Sequence, residues 1–180
     1  MKLLAKSIYV SIFFITFICY GQQLNDNSVY KGKIKKLNFL FGEWDGNAKI
    51  RFSPTEEYPF TIHESASYKL DSTAFYIEGI AKIDIGGEER IVGQGLGIIT
   101  YDLKANEYRM WHCEANGATF SAPVTIENNK MDYYSTDSNG LKLHVKINVG
   151  KDGVWTETVD KYEEGKGWQL FREYTVQRIK

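Results

Sequence analysis

From Trp44 onward, apolar and polar residues alternate along short segments, and the helical period never persists for more than a few residues. In the clearest segment, one face carries Leu141, Leu143, Val145, Ile147 and Val149, and the other carries Lys142, His144, Lys146 and Asn148. A period of two residues is typical of a β-strand with one buried face. The segment Phe75–Ile83 follows the same period less strictly. The pattern therefore predicts a chain built of strands.

Turn signals separate these segments at regular intervals. They lie at residues 54–59, 71–73, 86–87, 104–106, 116–117, 128–129, 139–140, 152–153 and 165–167. Asn-Gly and Asp-Gly pairs supply the positive φ angles that tight hairpins need. Nine turns predict ten strands. Because closure removes exposed strand edges, the predicted fold is all-β: a ten-stranded antiparallel up-and-down β-barrel.

The apolar run Leu37–Gly46 precedes the alternating segments. It predicts a short N-terminal helical plug that leads through Gly42 into the first strand at Trp44. In a closed antiparallel barrel, the first strand pairs with the last. Trp44 is therefore expected near Arg178, with the indole facing the guanidinium group in a cation–π contact.

The start of the chain has the layout of a secretory signal peptide over residues 1–21. Lys2 and Lys6 precede an apolar core that ends near Ile18, and the small residue Gly21 follows. The bulky Ile18 before Cys19 is unlike the small residue expected at a lipid-modification site. We therefore predict an exported protein, periplasmic or extracellular, with a polar N-terminal tether over residues 22–36 and a single barrel domain over residues 37–180.

Charge and cysteine content narrow the classes of partner. Removing Lys2 and Lys6 with the signal peptide takes 22 basic residues to 20 against 23 acidic ones, a net charge of −3. Such a surface does not attract nucleic acid or anionic lipid at long range, and no later segment is apolar enough to span a membrane. Without Cys19, Cys113 has no partner for an intramolecular disulfide.

Gly93, Gly95 and Gly97 alternate along one predicted strand, so one face of that strand carries no side chains. Two interpretations follow from this row. It opens a pocket for a ligand, or it marks a sharply coiled strand that a large side chain or another backbone approaches closely. The row is no dinucleotide-binding motif, because no helix follows it.

The apolar lead-in with Gly42-Glu43-Trp44, the ten short segments and the last strand from Trp168 to Arg178 resemble the calycin-like barrels. The chain is similar to an exported bacterial family of unknown function that is related to nitrobindin- and lipocalin-type barrels. The resemblance implies a cavity for a small hydrophobic molecule. Nitrobindins bind haem through a histidine on the last strand, but residues 169–174 contain none. We therefore predict no cofactor.

Several polar residues share a strand face with apolar ones and carry the functional signal. Glu64 lies with Phe60, Ile62, Ala66, Tyr68 and Leu70; His112 and Glu114 lie with Tyr108 and Met110; Arg172 lies with Trp168, Leu170, Tyr174 and Val176. If these faces point inward, the charges form an internal ion-pair network or bind the polar head of a ligand. His63, His112 and His144 lie on separate strands without metal-ligand spacing, so no metal site is predicted.

No motif in the sequence specifies a reaction, so we favour binding of a small hydrophobic ligand without chemistry. The candidate ligand-binding residues are Glu64, Tyr68, Tyr108, Met110, His112, Glu114, Arg172 and Tyr174. One alternative is an isomerase or lyase that uses Glu64, His112 and Arg172 as catalytic groups. The other is a barrel packed solid with side chains that acts as an interaction module through its outer surface.

Overall fold

The computed structural model describes residues 27–53 and 55–180. A helix, α1 (Ser28–Ile34), continues into a 3-10 helix (Lys35–Leu40). Ten strands follow: β1 (Gly42–Ser53), β2 (Glu56–Lys69), β3 (Ala74–Ile85), β4 (Glu88–Asp102), β5 (Glu107–Glu114), β6 (Thr119–Glu127), β7 (Lys130–Thr136), β8 (Lys142–Val149), β9 (Val154–Glu163) and β10 (Gly167–Arg178).

Each strand pairs antiparallel with the next along the chain, and β1 pairs with β10 to close the barrel. The predicted ten-stranded antiparallel up-and-down barrel is therefore confirmed. Alternation on β8 places Val145, Ile147 and Val149 in the core, as the period of two residues predicts. Glycine or asparagine occupies the positive-φ positions of most of the turns.

The seam between β1 and β10 joins the barrel to its plug. Trp44 pairs with Arg178, and the Arg178 guanidinium carbon lies 4.5 Å from the centre of the indole ring. This confirms the predicted proximity. Trp44 Nε1 donates a hydrogen bond to the Leu40 carbonyl at 2.8 Å, and Arg178 donates one to the Phe39 carbonyl at 2.8 Å. The seam thus holds the 3-10 helix against the end of the barrel.

The helical plug begins earlier than the predicted boundary at Leu37. Helix α1 starts at Ser28, and Ile34 is completely buried with Leu37 and Leu40 in the core. The second half of the predicted tether therefore belongs to the plug, because Ile34 is an apolar anchor among polar neighbours. The predicted signal peptide, with Cys19, and residues 22–26 lie outside the described residues.

The first predicted loop is too long. Residues 54–59 were expected to form it, but β2 begins at Glu56, and Pro59 pairs with Lys49 of β1. A proline has no backbone N–H and is tolerated best where a strand is paired on one side only. The ladder between β2 and β3 begins only at Thr61, which leaves Pro59 in such a position.

The expected inner face of the last strand is wrong at Trp168 and Leu170. A register shift between Leu170 and Arg172 inserts Phe171 as an extra residue, so the alternation reverses. Trp168 lies outside the barrel, where its ring contacts those of Tyr134, His144 and Tyr162. Leu70, expected on the inner face of β2, lies exposed in a turn with a φ of 51°.

Candidate functional site

The barrel contains two adjoining chambers that are partly open. The outer chamber, of about 650 Å³, lies toward the end away from the helices and has mostly apolar walls that include Phe60, Phe120, Leu143 and Phe171. The inner chamber, of about 160 Å³, is more polar. Both chambers are lined by Ile62, Ala81, Gly93, His112, Glu114, Tyr133 and Arg172. The barrel is therefore not packed solid, and this does not favour the hypothesis of a solid interaction module.

A network of charged and hydroxyl groups forms one wall of the inner chamber. Strands β9 and β10 are neighbours, and their register places Tyr174 opposite Glu157. The Tyr174 hydroxyl lies 2.5 Å from Glu157 Oε2 and 3.0 Å from Glu64 Oε1. Arg172 donates a hydrogen bond to Glu157 Oε1 at 3.1 Å. Tyr174 thus links two buried carboxyl groups, and among the described residues only that of Glu157 has an ion-pair partner.

Burial raises the pKa of Glu64 to about 8, and the negative charge of Glu157 adds to the shift. At neutral pH, Glu64 is therefore mostly protonated. The hydrogen bonds fit this state, because the single Tyr174 hydroxyl proton goes to the closer carboxylate of Glu157. The protonated Glu64 then donates to the hydroxyl oxygen. Gly79 makes room for the Glu64 carboxyl, since a Cβ there would lie 2.9 Å from Glu64 Oε1.

Protonation of Glu64 makes the stability of the barrel depend on pH. The folded-state pKa lies above the ordinary value of 4.5, so the contribution of Glu64 is fully present below pH 4.5 and is lost as the pH rises toward 8. We expect the wild type to lose stability relative to Glu64→Gln between about pH 5 and about pH 8. Urea unfolding of both proteins across this range measures the difference. A difference independent of pH would mean that Glu64 is ionised in the folded barrel.

His112 and Glu114 form a second polar group on β5. His112 Nε2 lies 3.7 Å from Glu114 Oε1, and the His112 contact holds the pKa of Glu114 below its usual value. The imidazole ring stacks on Phe120 with ring centres 4.8 Å apart. This group and the Glu64 network face the same inner chamber. Their hydrogen bonds and ion pairs remain separate, however: His112 pairs with Glu114, whereas Glu64 bonds to Tyr174.

The glycine row of β4 allows close approach of neighbouring side chains. A Cβ at Gly95 would lie 3.0 Å from His112 Cε1, and one at Gly97 would lie 2.9 Å from Met110 Sδ. Gly93 differs, because a Cβ there would meet only Ala81 at an ordinary 3.5 Å. Two glycines therefore accommodate neighbouring side chains, and Gly93 borders open space in both chambers.

The structure separates the predicted ligand-binding residues into two sets. The residues that line the inner chamber are Glu64, Met110, His112, Glu114, Arg172 and Tyr174. Tyr68 and Tyr108 lie instead at the plugged end and do not line either chamber. Tyr68 donates a hydrogen bond to Asn38, and Tyr108 donates one to the Lys33 carbonyl at 3.0 Å. We therefore assign these two tyrosines to fixing the helical segments.

Glu157 and Tyr133 are the site residues that sequence reasoning missed. Glu157 lies between Trp155 and Val159 on the inner face of β9, and Tyr133 lies between Met131 and Ser135 on β7. Burial raises the pKa of Tyr133 far above its ordinary value, so its hydroxyl keeps its proton. Glu157 carries the signal that revealed Glu64, a polar residue that alternates with apolar ones along one strand face. Tyr133 carries a weaker signal, because the polar residue Ser135 follows it on the same face.

Comparison with known proteins supports the fold. The barrel is similar to the crystal structure of Rv2717c from M. tuberculosis, with a TM-score of 0.63 and 8% sequence identity over 82% of this chain and 97% of that one. It is also similar to the S-type phycobiliprotein lyase CPES from Guillardia theta, with a TM-score of 0.59 and 8% identity over 87% and 98% of the two chains. These similarities and the closed topology define a calycin-like barrel. No protein-family model and no curated protein sequence matches the chain.

Within residues 27–53 and 55–180, no group of three or more His, Cys, Asp or Glu side chains is arranged to hold a metal ion. No helix in the same ranges is long and apolar enough to cross a membrane.

Proposed function

We propose that this protein binds a small, largely apolar molecule inside the barrel, with a polar group of the ligand in the inner chamber. The proposal includes export, with residues 1–21 acting as a cleaved signal peptide. The observation that carries the proposal is the pair of adjoining chambers, of which the outer is mostly apolar and the inner more polar. An outer volume of about 650 Å³ lies within the range of small-molecule sites, which combine apolar walls with a few polar groups.

Binding is favoured over catalysis by the arrangement of the three candidate catalytic residues. An isomerase or lyase would need Glu64, His112 and Arg172 to face one substrate with groups free for proton transfer or charge stabilisation. Glu64 bonds to Tyr174, Arg172 to Glu157, and His112 pairs with Glu114. The charged groups thus engage one another, which suits a rigid polar wall better than proton transfer to a substrate.

A larger side chain in the space between the two chambers tests whether binding occurs inside the barrel. Gly93 lines both chambers, and a Cβ added at this position would meet Ala81 at an ordinary contact distance of 3.5 Å. We expect Gly93→Leu to weaken binding of the apolar dye Nile red by about tenfold, equivalent to about 1.4 kcal/mol, because leucine occupies the volume that the dye needs. A fluorescence titration of the purified protein measures this affinity.

The matched control is Gly32→Leu, which makes the same change on the exposed side of α1, where no heavy atom lies within 4 Å of the added Cβ. This variant should bind Nile red as the wild type does. Equal affinities in all three proteins would place the dye outside the barrel and contradict interior binding. Native mass spectrometry of the protein from its own host should show a mass increment that Gly93→Leu lacks.

A further inference from the structure

Large apolar side chains are exposed to solvent at the end of the barrel away from the helices. The helices lead into the start of β1, so the turns that follow odd-numbered strands lie at the opposite end. Six residues beside three of these turns have exposed fractions between 36% and 61%, and we call them the apolar rim: Phe52, Tyr58, Ile85, Ile91, Val92 and Leu141. Single exposed apolar residues are ordinary, but a group of them at one opening marks an interaction site.

The apolar rim is continuous with the outer chamber. Four of its members are exposed to solvent and also line that chamber: Phe52, Tyr58, Val92 and Leu141. The chamber walls extend to Asn116 and Asn139 in the turns at the same end. The opposite end is covered by the helices, whose buried residue Leu40 lies in the core. A molecule that enters or leaves the outer chamber at this end therefore passes the apolar rim.

Aromatic side chains with a polar group lie on the outer wall beside the rim. Tyr162 and Trp168 flank the turn between β9 and β10, with ring centres 5.5 Å apart, and both are half-exposed. Lys142, the residue after Leu141 of the rim, lies 5.4 Å from the centre of the Tyr162 ring. Tyrosine and tryptophan are enriched where proteins meet the headgroup level of a bilayer, because each ring is apolar with a polar group.

The charges on the two hairpins that carry most of the rim are balanced. Basic side chains lie 2.6–3.3 Å from carboxylates in the pairs Lys49–Glu57, Arg51–Glu57, Lys82–Glu89 and Arg90–Glu88. Anionic lipids attract clusters of unpaired Lys and Arg, which these pairs do not provide. Neighbouring charges of both signs instead complement a zwitterionic headgroup, which also carries one charge of each sign.

We propose that the open end of the barrel docks on the surface of a zwitterionic lipid bilayer, with the apolar rim inserted among the lipids. The outer chamber then opens toward the bilayer, so that an apolar ligand passes between the two without crossing water. A second copy of the chain suits the rim less well, because two barrels that meet rim to rim would block the path to both chambers. This inference rests on the proposed function and names the partner that supplies or receives the ligand.

Flotation with phosphatidylcholine vesicles tests the docking surface. Ile91 belongs to the rim but lines neither chamber, so Ile91→Glu changes the surface without changing the proposed ligand site. We expect this variant to bind vesicles at least about tenfold more weakly than the wild type, because a charged side chain replaces an inserted apolar one. Ile85→Glu should have the same effect for the same reason.

The matched control is Leu103→Glu, which places the same charge at an exposed leucine in the turn between β4 and β5, at the plugged end. This variant should bind vesicles as the wild type does. If neither rim variant weakens binding, or if the control weakens it equally, the docking proposal is wrong. Nile red affinity without vesicles should be equal in all four proteins, which also shows that the variants are folded. A wild type that binds no Nile red would instead overturn the proposed function.

Transfer of Nile red from the vesicles to the protein tests the route. Contact at the rim requires the transfer rate to rise with protein concentration, and Ile91→Glu should slow transfer by about tenfold. A rate independent of protein concentration would mean that the dye is released into water first, which contradicts the proposal. Adding one quarter phosphatidylglycerol should not tighten binding, and tenfold tighter binding would overturn the choice of a zwitterionic surface. If the wild type ignores vesicles but forms a dimer that Ile91→Glu disrupts, the rim binds a second copy instead.

Discussion

Replacing Trp44 with Ala is expected to lower the free energy of unfolding by about 4 kcal/mol, within the range for truncating a buried aromatic residue. Trp44 is completely buried and packs edge-on against Trp155 with ring centres 5.4 Å apart. The change also removes the hydrogen bond to Leu40 and the ring beneath the Arg178 guanidinium. Urea unfolding followed by circular dichroism measures the loss.

The control for this prediction is Trp168→Ala. Trp168 also contacts aromatic rings, but it lies on the outer face and is 42% exposed. Its replacement should cost about 1 kcal/mol, because aromatic contacts at an exposed site retain little burial energy. If Trp168→Ala lost as much stability as Trp44→Ala, the contacts of Trp44 at the seam would be no more stabilising than those of Trp168 on the outer face.

Replacing Arg172 with Met should destabilise the barrel by about 3 kcal/mol. The change leaves the Glu157 carboxylate buried without a cation, which is the costly half of a broken buried ion pair. Glu157 is 6% exposed and, among the described residues, would retain only the hydrogen bond from Tyr174. The value lies at the low end of the usual range, since the Arg172 side chain is itself partly open to the cavity. Chemical unfolding at neutral pH measures it.

Adding Glu157→Gln to Arg172→Met should recover much of the lost stability, because no buried charge then remains unpaired. The double variant is therefore expected to be more stable than Arg172→Met alone. Lys166→Met removes the cation from an exposed pair with Glu163 and should change stability by less than about 0.5 kcal/mol. If the double variant proved the least stable of the set, burial of the unpaired carboxylate would not be the cause of the loss.

The architecture could be predicted from the sequence where turn residues and local alternation determine the structure. Turn signals such as Asn139-Gly140 indicate the number of strands, and the alternation on β8 indicates which of its side chains face the core. Once the barrel was taken as closed, its geometry required Trp44 to meet Arg178. The wrong predictions come from local irregularities. The bulge at Phe171 reverses which residues of β10 face inward, and a single buried residue, Ile34, anchors an otherwise polar helix.

The site was harder to predict than the fold, since alternation says whether a side chain points inward but not at what height along the barrel. Tyr68 and Tyr108 point inward as expected, yet they lie at the plugged end, where they contact the helical segments. The pairing of Glu157 with Arg172 depends on the register between β9 and β10, which contains the bulge. That register arises from tertiary packing and has no signature in either strand alone.

The seam also determines the order in which the chain can complete its fold. Residues such as Lys49 and Glu173 pair across it, so the partner of β1 is the strand made last. Until β10 has left the ribosome, one edge of β1 lacks its partner, and edges of this kind recruit other chains. Closure is therefore a late, long-range event that is expected to slow folding. The helices that cover the plugged end gain their hydrogen bond from Arg178 only at that final step.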